Sequence, residues 1–136
     1  MDVFTNLRNW WKKTPSEKRV VARSAFCDPG GVSQFDWLGD EEVHHRVAWD
    51  QIETVIAFKA DLYVYDQVEV VLVNERREVL ASVGEDSGSF GAFISDLPKW
   101  LSGCKQPEEW WTQVAFPAFR TNETVIFQRC HPPAAG

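Results

Sequence analysis

The middle of the chain is a series of short segments with the composition of β-strands, separated by residues that favour turns. Residues 43–49 alternate between two faces, and residues 52–59, 62–73 and 79–83 are rich in β-branched and aromatic side chains. Residues 74–77 form a hairpin turn and residues 39–42 a polar turn. Connections this short join antiparallel neighbours, so the sequence predicts an antiparallel sheet.

Two further strands are predicted outside this region, at residues 35–38 and 124–129. Residues 28–31, Asp-Pro-Gly-Gly, indicate a firm turn. The stretch 18–27 before it fits either a turn of helix or the start of a strand.

Helices are predicted at both ends of the strand-rich region. Residues 2–12 have apolar side chains on one helical face, and residues 14–17 form a helix-start signature. Residues 90–101 form an amphipathic helix that Pro98 kinks or ends. Another helix begins at Pro107, with acids in its first turn, and stops at Pro117.

The fold class that follows is α+β. We expect a curled antiparallel sheet of about five to seven strands, with an N-terminal helix and C-terminal helices packed on it. A length of 136 residues suits one domain, here residues 1–130, and residues 131–136 are predicted to be a disordered tail.

Charge and cysteine content narrow the functional classes. Residues 1–25 carry six basic and two acidic side chains, whereas the remainder carries eight basic and eighteen acidic ones. An acidic body repels phosphate backbones and favours basic partners, so nucleic acid is not expected as a ligand. Three cysteines without close pairing predict free thiols in a reducing compartment. No apolar run is long enough for a signal or a membrane span, and a cytoplasmic location is expected.

The segment 49–62, WDQIETVIAFKADL, resembles the W-x-x-I-x-x-I pattern of small bacterial domains with a pleckstrin-homology-like, GRAM-like sheet. The stretch from Trp110 to Thr124 is similar to a segment of small proteobacterial proteins that often look like toxin immunity proteins. The resemblance covers residues 43–129 and implies a curled sheet with a helix across one end. The second helix and the final strand depart from a simple pleckstrin-like domain.

The sequence predicts no catalytic residue, no cofactor site and no metal site. His44 and His45 point to opposite faces of a strand, so they cannot chelate one metal together. Ser87-Gly88-Ser89 lacks a nucleophile elbow, and Cys27 has no histidine partner nearby in sequence. The glycines lack the spacing of a nucleotide-binding loop.

Residues with a predicted role in partner binding are the acids of two turns and one tryptophan pair: Asp40, Glu41, Glu42, Glu85, Asp86, Trp110 and Trp111. The acids would meet a basic partner surface. Neighbours on a helix point about 100° apart, so Trp110 and Trp111 cannot both face the core, and one is a candidate apolar anchor.

These observations predict a non-catalytic protein-binding module and, within that class, an immunity protein that occludes a basic bacterial toxin. The first alternative is a membrane-surface or lipid-binding module, since Trp10-Trp11 beside Lys12-Lys13 resembles an interfacial anchor. The net charge of −6 opposes it. The second alternative is an enzyme whose site is assembled in space. The sequence leaves the oligomeric state and the identity of the partner open.

Overall fold

The computed structural model describes residues 20, 22–61, 66–116 and 122–130. Several predicted features lie outside these residues: the helix at 2–12 with its Trp10-Trp11 pair, the helix start at 14–17 and the tail at 131–136.

The first sheet is a three-stranded meander of β1 (Ala22–Asp28), β2 (Gly31–Leu38) and β3 (Glu41–Ala48). The ambiguous stretch before the first turn is therefore strand from Ala22 onward. In that turn the Asp28 carboxylate accepts hydrogen bonds from the backbone N–H groups of Gly30 and Gly31, at 2.8 and 3.1 Å. Gly31 has φ +150, and a Cβ there would lie 2.0 Å from a carbonyl of β3, so the position requires glycine.

The second sheet contains β4 (Thr54–Asp61), β5 (Asp66–Val73), β6 (Val79–Gly84) and β7 (Thr124–Gln128), all antiparallel in the order β6-β5-β4-β7. In the β5–β6 hairpin the Asn74 side chain accepts the N–H groups of Arg76 and Glu78, both at 2.9 Å. The last strand returns to the far edge of β4, which sequence spacing alone does not reveal.

Two helices lie between β6 and β7. Helix α1 (Phe90–Trp100) buries Phe90, Phe93, Ile94 and Leu97, as its apolar periodicity predicts. It continues for two residues past Pro98, so the proline lies inside the helix. Helix α2 (Pro107–Ala115) begins with a proline, and the Glu109 side chain accepts the N–H of Gln106 at 2.6 Å.

The α+β class with antiparallel strands is confirmed, and the strands are divided where the sequence predicted one curled sheet. The described strands form two separate sheets, of three and four strands, which are not closed into a barrel. A 3-10 turn at Trp49–Gln51 separates β3 from β4, and the Gln51 side chain accepts the N–H of Ala48 at 2.8 Å. That bond engages the backbone at the end of β3.

The main core lies between the two sheets and the helices, and it includes Trp110, Leu97, Val70 and Val32. A second buried cluster occupies the opposite face of the four-stranded sheet and contains Ile56, Phe58, Ala60, Val71 and Val73. Both faces of this sheet are therefore apolar, which explains why β4 and β5 have nearly continuous hydrophobic sequences. The three-stranded sheet, in contrast, has only one buried face.

Candidate partner-binding surface

The outer face of the three-stranded sheet is the face turned away from the core, and it carries an array of aromatic side chains. Phe26 is 51% exposed and Trp37 is 42% exposed. Alternation along the paired strands brings the following residues to this face: Ser24, Phe26, Ser33, Phe35, Trp37, Glu42, His44 and Arg46. Large aromatic side chains are thus presented to solvent by a regular sheet, where a soluble domain ordinarily has polar ones.

The aromatic rings support one another. Phe35 and His44 are cross-strand partners whose rings stack with centroids 4.5 Å apart and planes within 4° of parallel. Phe26 meets Phe35 edge to face at 6.0 Å. These contacts restrict the rotation of the rings.

The inner face of the same sheet explains why the aromatic residues point outward. Asp36 is buried and forms a bidentate ion pair with Arg23. Arg23 Nε donates to Asp36 Oδ1 at 2.7 Å, and Nη2 donates to Oδ2 at 3.2 Å. The Gln34 amide donates to Asp36 at 3.0 Å, and its oxygen accepts the N–H of Ser82 in β6 at 2.7 Å. This polar network joins the two sheets. Since Gln34 and Asp36 are held inside, alternation places Phe35 and Trp37 outside.

The predicted acidic residues Asp40, Glu41 and Glu42 lie at one end of this surface, in and beside the β2–β3 turn, and all three are exposed. Glu42 is the cross-strand partner of Trp37, so the acidic turn and the aromatic array are contiguous.

The two arginines of the sheet do not cancel this negative charge, because each is engaged by another acid. Arg46 binds Asp28 through two hydrogen bonds of 2.6 Å, and Arg23 binds Asp36. The hydrogen bonds from Arg46 and from the Gly30 backbone lower the pKa of Asp28 to about 2, so this pair stays ionised at neutral pH. Residues 22–48 contain five acids and two bases, which gives a formal charge of −3.

Glu85 and Asp86, the other predicted acidic pair, lie in the turn after β6 and are bound to β5. Glu85 Oε1 accepts the N–H of Val68 at 2.8 Å, and Asp86 Oδ1 accepts the Gln67 amide at 3.2 Å. Both residues are exposed. Their side chains therefore fix the β6–α1 turn in addition to carrying negative charge.

The two adjacent tryptophans of α2 have different environments. Trp110 is 1% exposed and belongs to the main core, and its Nε1 has no hydrogen-bond acceptor among the described residues. Trp111 is half-buried and packs against Phe90 with ring centroids 6.1 Å apart. Trp110 thus has almost no exposed surface for a partner, so the prediction that it contacts one does not fit this fold. Of the two tryptophans, only Trp111 remains a candidate apolar anchor on α2.

Sequence reasoning missed Phe26 and Trp37 as candidate contact residues. The available signal was the pattern of residues 34–37, Gln-Phe-Asp-Trp, in which polar side chains alternate with aromatic ones. Period-two alternation shows that Phe35 and Trp37 share a face, but it does not show which face is buried.

The thiol that the enzyme alternative would need is poorly suited to nucleophilic catalysis. Burial and the nearby Asp96 and Asp28 carboxylates raise the pKa of Cys27 to about 12. Burial and Glu109 likewise raise the pKa of Cys104 to about 11. Both thiols stay protonated at neutral pH, and the thiol is a much weaker nucleophile than the thiolate.

Within the described ranges, no group of three or more histidine, cysteine or acidic side chains is arranged to hold a metal ion. No helix among those residues is long and apolar enough to cross a bilayer. Comparison of the chain with protein-family models, curated proteins and solved structures finds no match.

Proposed function

We propose that the chain is a non-catalytic protein-binding module whose contact surface combines the outer face with the acidic turn at Asp40–Glu42. The observation that carries this proposal is the exposure of Phe26 and Trp37 on a sheet whose other face is held by a buried ion-pair network. The apolar array is thus a fixed feature of the fold.

The composition of this surface matches that of binding hot spots. Aromatic side chains supply large apolar contact area with few rotatable bonds, and tryptophan is enriched among residues that dominate binding energy. The acids at one end of the array lie where the rim of an interface would be, and charges at a rim mainly accelerate and orient association. The partner that fits has an apolar recess next to basic side chains.

A sheet that displays aromatic rings can also stack nucleic-acid bases, but its charges oppose that use here. Modules that bind single strands place aromatic residues within a positively charged groove. In this sheet Arg23 and Arg46 are bound by aspartates, and three acids lie at the end of the array. A protein partner is therefore the proposal that the charge distribution supports.

Within this class we propose an immunity protein that occludes a basic bacterial toxin in the cytoplasm. Support comes from the acidic body and the three free cysteines. Inhibition would follow from covering the basic surface with which the toxin binds its substrate, so no reaction is required of the chain.

The test begins with a partner recovered from the native cell, after which binding is measured by biolayer interferometry. Trp37→Ala and Phe26→Ala should each weaken affinity at least about tenfold. Trp100→Ala is the matched control, because Trp100 is also 42% exposed but lies on α1. Equal affinities for the three variants and the unchanged chain would refute the outer face as the contact surface.

The electrostatic part is tested separately by reversing the charges of Asp40, Glu41 and Glu42 to lysine. Association should become slower and less dependent on salt, while dissociation changes little. Unchanged association kinetics would remove the acidic turn from the surface, and a partner with an acidic surface would contradict the steering argument as a whole.

A pleckstrin-homology-like membrane module is the second proposal. It is supported by the two antiparallel sheets and by the amphipathic helix α1 packed beside β1. The strand that follows α2 departs from that architecture. Co-sedimentation with anionic liposomes, with and without residues 1–13, tests it, because unchanged binding after the deletion would rule out the basic aromatic segment as the membrane anchor.

A further inference from the structure

Strand β3 is an edge strand whose outward backbone groups are open between Glu42 and Arg46. The residues that flank a two-residue hairpin turn form a hydrogen-bonded pair, and such pairs then recur at every second position. The pair at the β2–β3 turn is Leu38 with Glu41. Residues 41, 43, 45 and 47 therefore bond to β2, and residues 42, 44, 46 and 48 direct their N–H and C=O groups away from the sheet.

One observation supports this assignment independently. Ala48 is one of the residues whose backbone groups should point away from the sheet. Its N–H donates to the Gln51 side chain at 2.8 Å and therefore does not point to β2. Among the described residues, no hydrogen bond reaches the outward backbone groups of Glu42, His44 or Arg46. Three consecutive outward positions are thus available to a further strand.

Each of the other three edges of the described sheets has an outward backbone group bound by a residue from outside the sheet or from the other sheet. On β1 the N–H of Ala25 donates to Ser89 at 3.0 Å, and on β6 the N–H of Ser82 donates to Gln34 at 2.7 Å. On β7 the carbonyl of Ile126 accepts the N–H of Lys105 at 2.8 Å. Natural sheets usually protect their edges, so three consecutive outward positions without a bond mark a place where a further strand can pair.

The side chains along this stretch are complementary to themselves in the antiparallel direction. Glu42, His44 and Arg46 occupy one face, in the order acid, imidazole, base. When two copies pair about His44, Glu42 of each copy faces Arg46 of the other, and the two histidines face each other. Opposite charges at directly facing positions stabilise a strand pair, whereas an unrelated strand would leave them unmatched.

We propose that this edge binds a second copy of the chain, with the two β3 strands antiparallel and centred on His44. The three facing positions, 42 with 46, 44 with 44 and 46 with 42, are all of the hydrogen-bonded type, so they provide about six backbone hydrogen bonds. Moving the centre to His45 would place His44 against Arg46 and would use Ala48, whose N–H is already bound by Gln51. Hydrogen-bond geometry and charge therefore select the same register.

The result is a six-stranded antiparallel sheet across the dimer. The two outer faces then adjoin at the seam, where the two His44 residues face each other and each stacks on the Phe35 of its own copy. Arg46 can serve both contacts, since its Nη atoms bind Asp28 and Ser33 while Nε remains available to the Glu42 of the other copy. The dimer uses Glu42, which also belongs to the proposed partner-binding surface, but the test of the dimer requires no partner.

Sedimentation velocity of the full chain over a concentration series is the test. The unchanged chain should show a monomer–dimer equilibrium. Glu42→Arg alone and Arg46→Glu alone should each raise the dissociation constant at least about tenfold, because both facing pairs become like-charged. An equimolar mixture of the two variants should recover association as a heterodimer, in which both pairs are again opposite in charge.

A backbone variant provides the second arm. Proline at position 44 removes an outward N–H but no bond to β2, so His44→Pro should abolish dimerisation while circular dichroism shows a folded sheet. His44→Thr is the matched control that keeps the N–H and should still dimerise. A monomer at all concentrations, or a dimer unaffected by all of these variants, would overturn the proposal.

Discussion

Replacing Glu69 with glutamine should make the protein more stable at neutral pH and leave its stability unchanged in acid. Glu69 lies on β5 over Gly84, where its Oε1 accepts the Gln67 amide at 2.7 Å. Burial raises the pKa of this carboxyl from 4.5 to about 7, although the Gln67 hydrogen bond and the charge of Arg23 act in the opposite direction. A glutamine can accept the same hydrogen bond without carrying a charge.

The magnitude follows from the linkage between proton binding and folding. The folded state binds the Glu69 proton more tightly than the unfolded state, so the stabilising effect of protonation is complete below pH 4.5 and is lost as the pH rises through 7. At about 1.36 kcal/mol per pKa unit, the ionised carboxyl lowers the free energy of unfolding by about 3 kcal/mol above pH 7.

The assay is urea unfolding followed by tryptophan fluorescence, from pH 4 to pH 8.5. The gap in unfolding free energy between Glu69→Gln and the unchanged chain should grow between pH 4.5 and 7 and then level off near 3 kcal/mol. Glu75→Gln is the control, because Glu75 is an exposed glutamate in the β5–β6 turn. A gap that is constant across this range would refute the reasoning about burial.

Three further predictions concern packing, backbone conformation and thiol chemistry. Trp110→Ala should lower the free energy of unfolding by about 3–5 kcal/mol, because it leaves a cavity in the core. Trp37→Ala on the outer face should lower it by less than about 1 kcal/mol. Urea unfolding of both variants measures the two values. Gly31→Ala should lower the thermal midpoint much more than Gly39→Ala. Both glycines have positive φ, but only a Cβ at position 31 would collide with a carbonyl of β3. Equal midpoints for the two variants would contradict this. In the folded protein at pH 8 a thiol reagent should label exposed Cys130 rapidly and the other two cysteines only after unfolding, and mass spectrometry of the labelled peptides would reveal any exception.

Local sequence signals predicted most of the individual elements. The turn at residues 28–31, the hairpin at 74–77 and the helix that starts at Pro107 all depend on residues whose own geometry sets the backbone. The alternation of residues 43–49 also predicted a strand, and β3 spans Glu41–Ala48, with Trp49 in the following 3-10 turn. These features need no information from distant parts of the chain.

The candidate surface was predicted only in part. The acids Asp40, Glu41 and Glu42 are exposed, as turn residues generally are, and they were expected to bind a partner. The aromatic residues beside them were not identified. Their exposure depends on the contact of Gln34 with Ser82, which is 48 residues away in sequence. Trp110 and Trp111 were both identified as candidates, but their adjacent positions on a helix do not show which of the two rings lies in the core.

The amino-acid sequence by itself indicated most of the strands, turns and helices, because these depend on neighbouring residues and on the period of the side chains, although several strands begin at other residues than predicted. The tertiary structure decided which face of the first sheet is buried, how the strands divide into two sheets and which edge stays open. Those outcomes depend on contacts between distant residues, above all the polar network that holds Arg23, Gln34 and Asp36 against β6. The two-residue period of a strand shows which side chains share a face, but only packing against the rest of the chain decides which face is exposed to solvent.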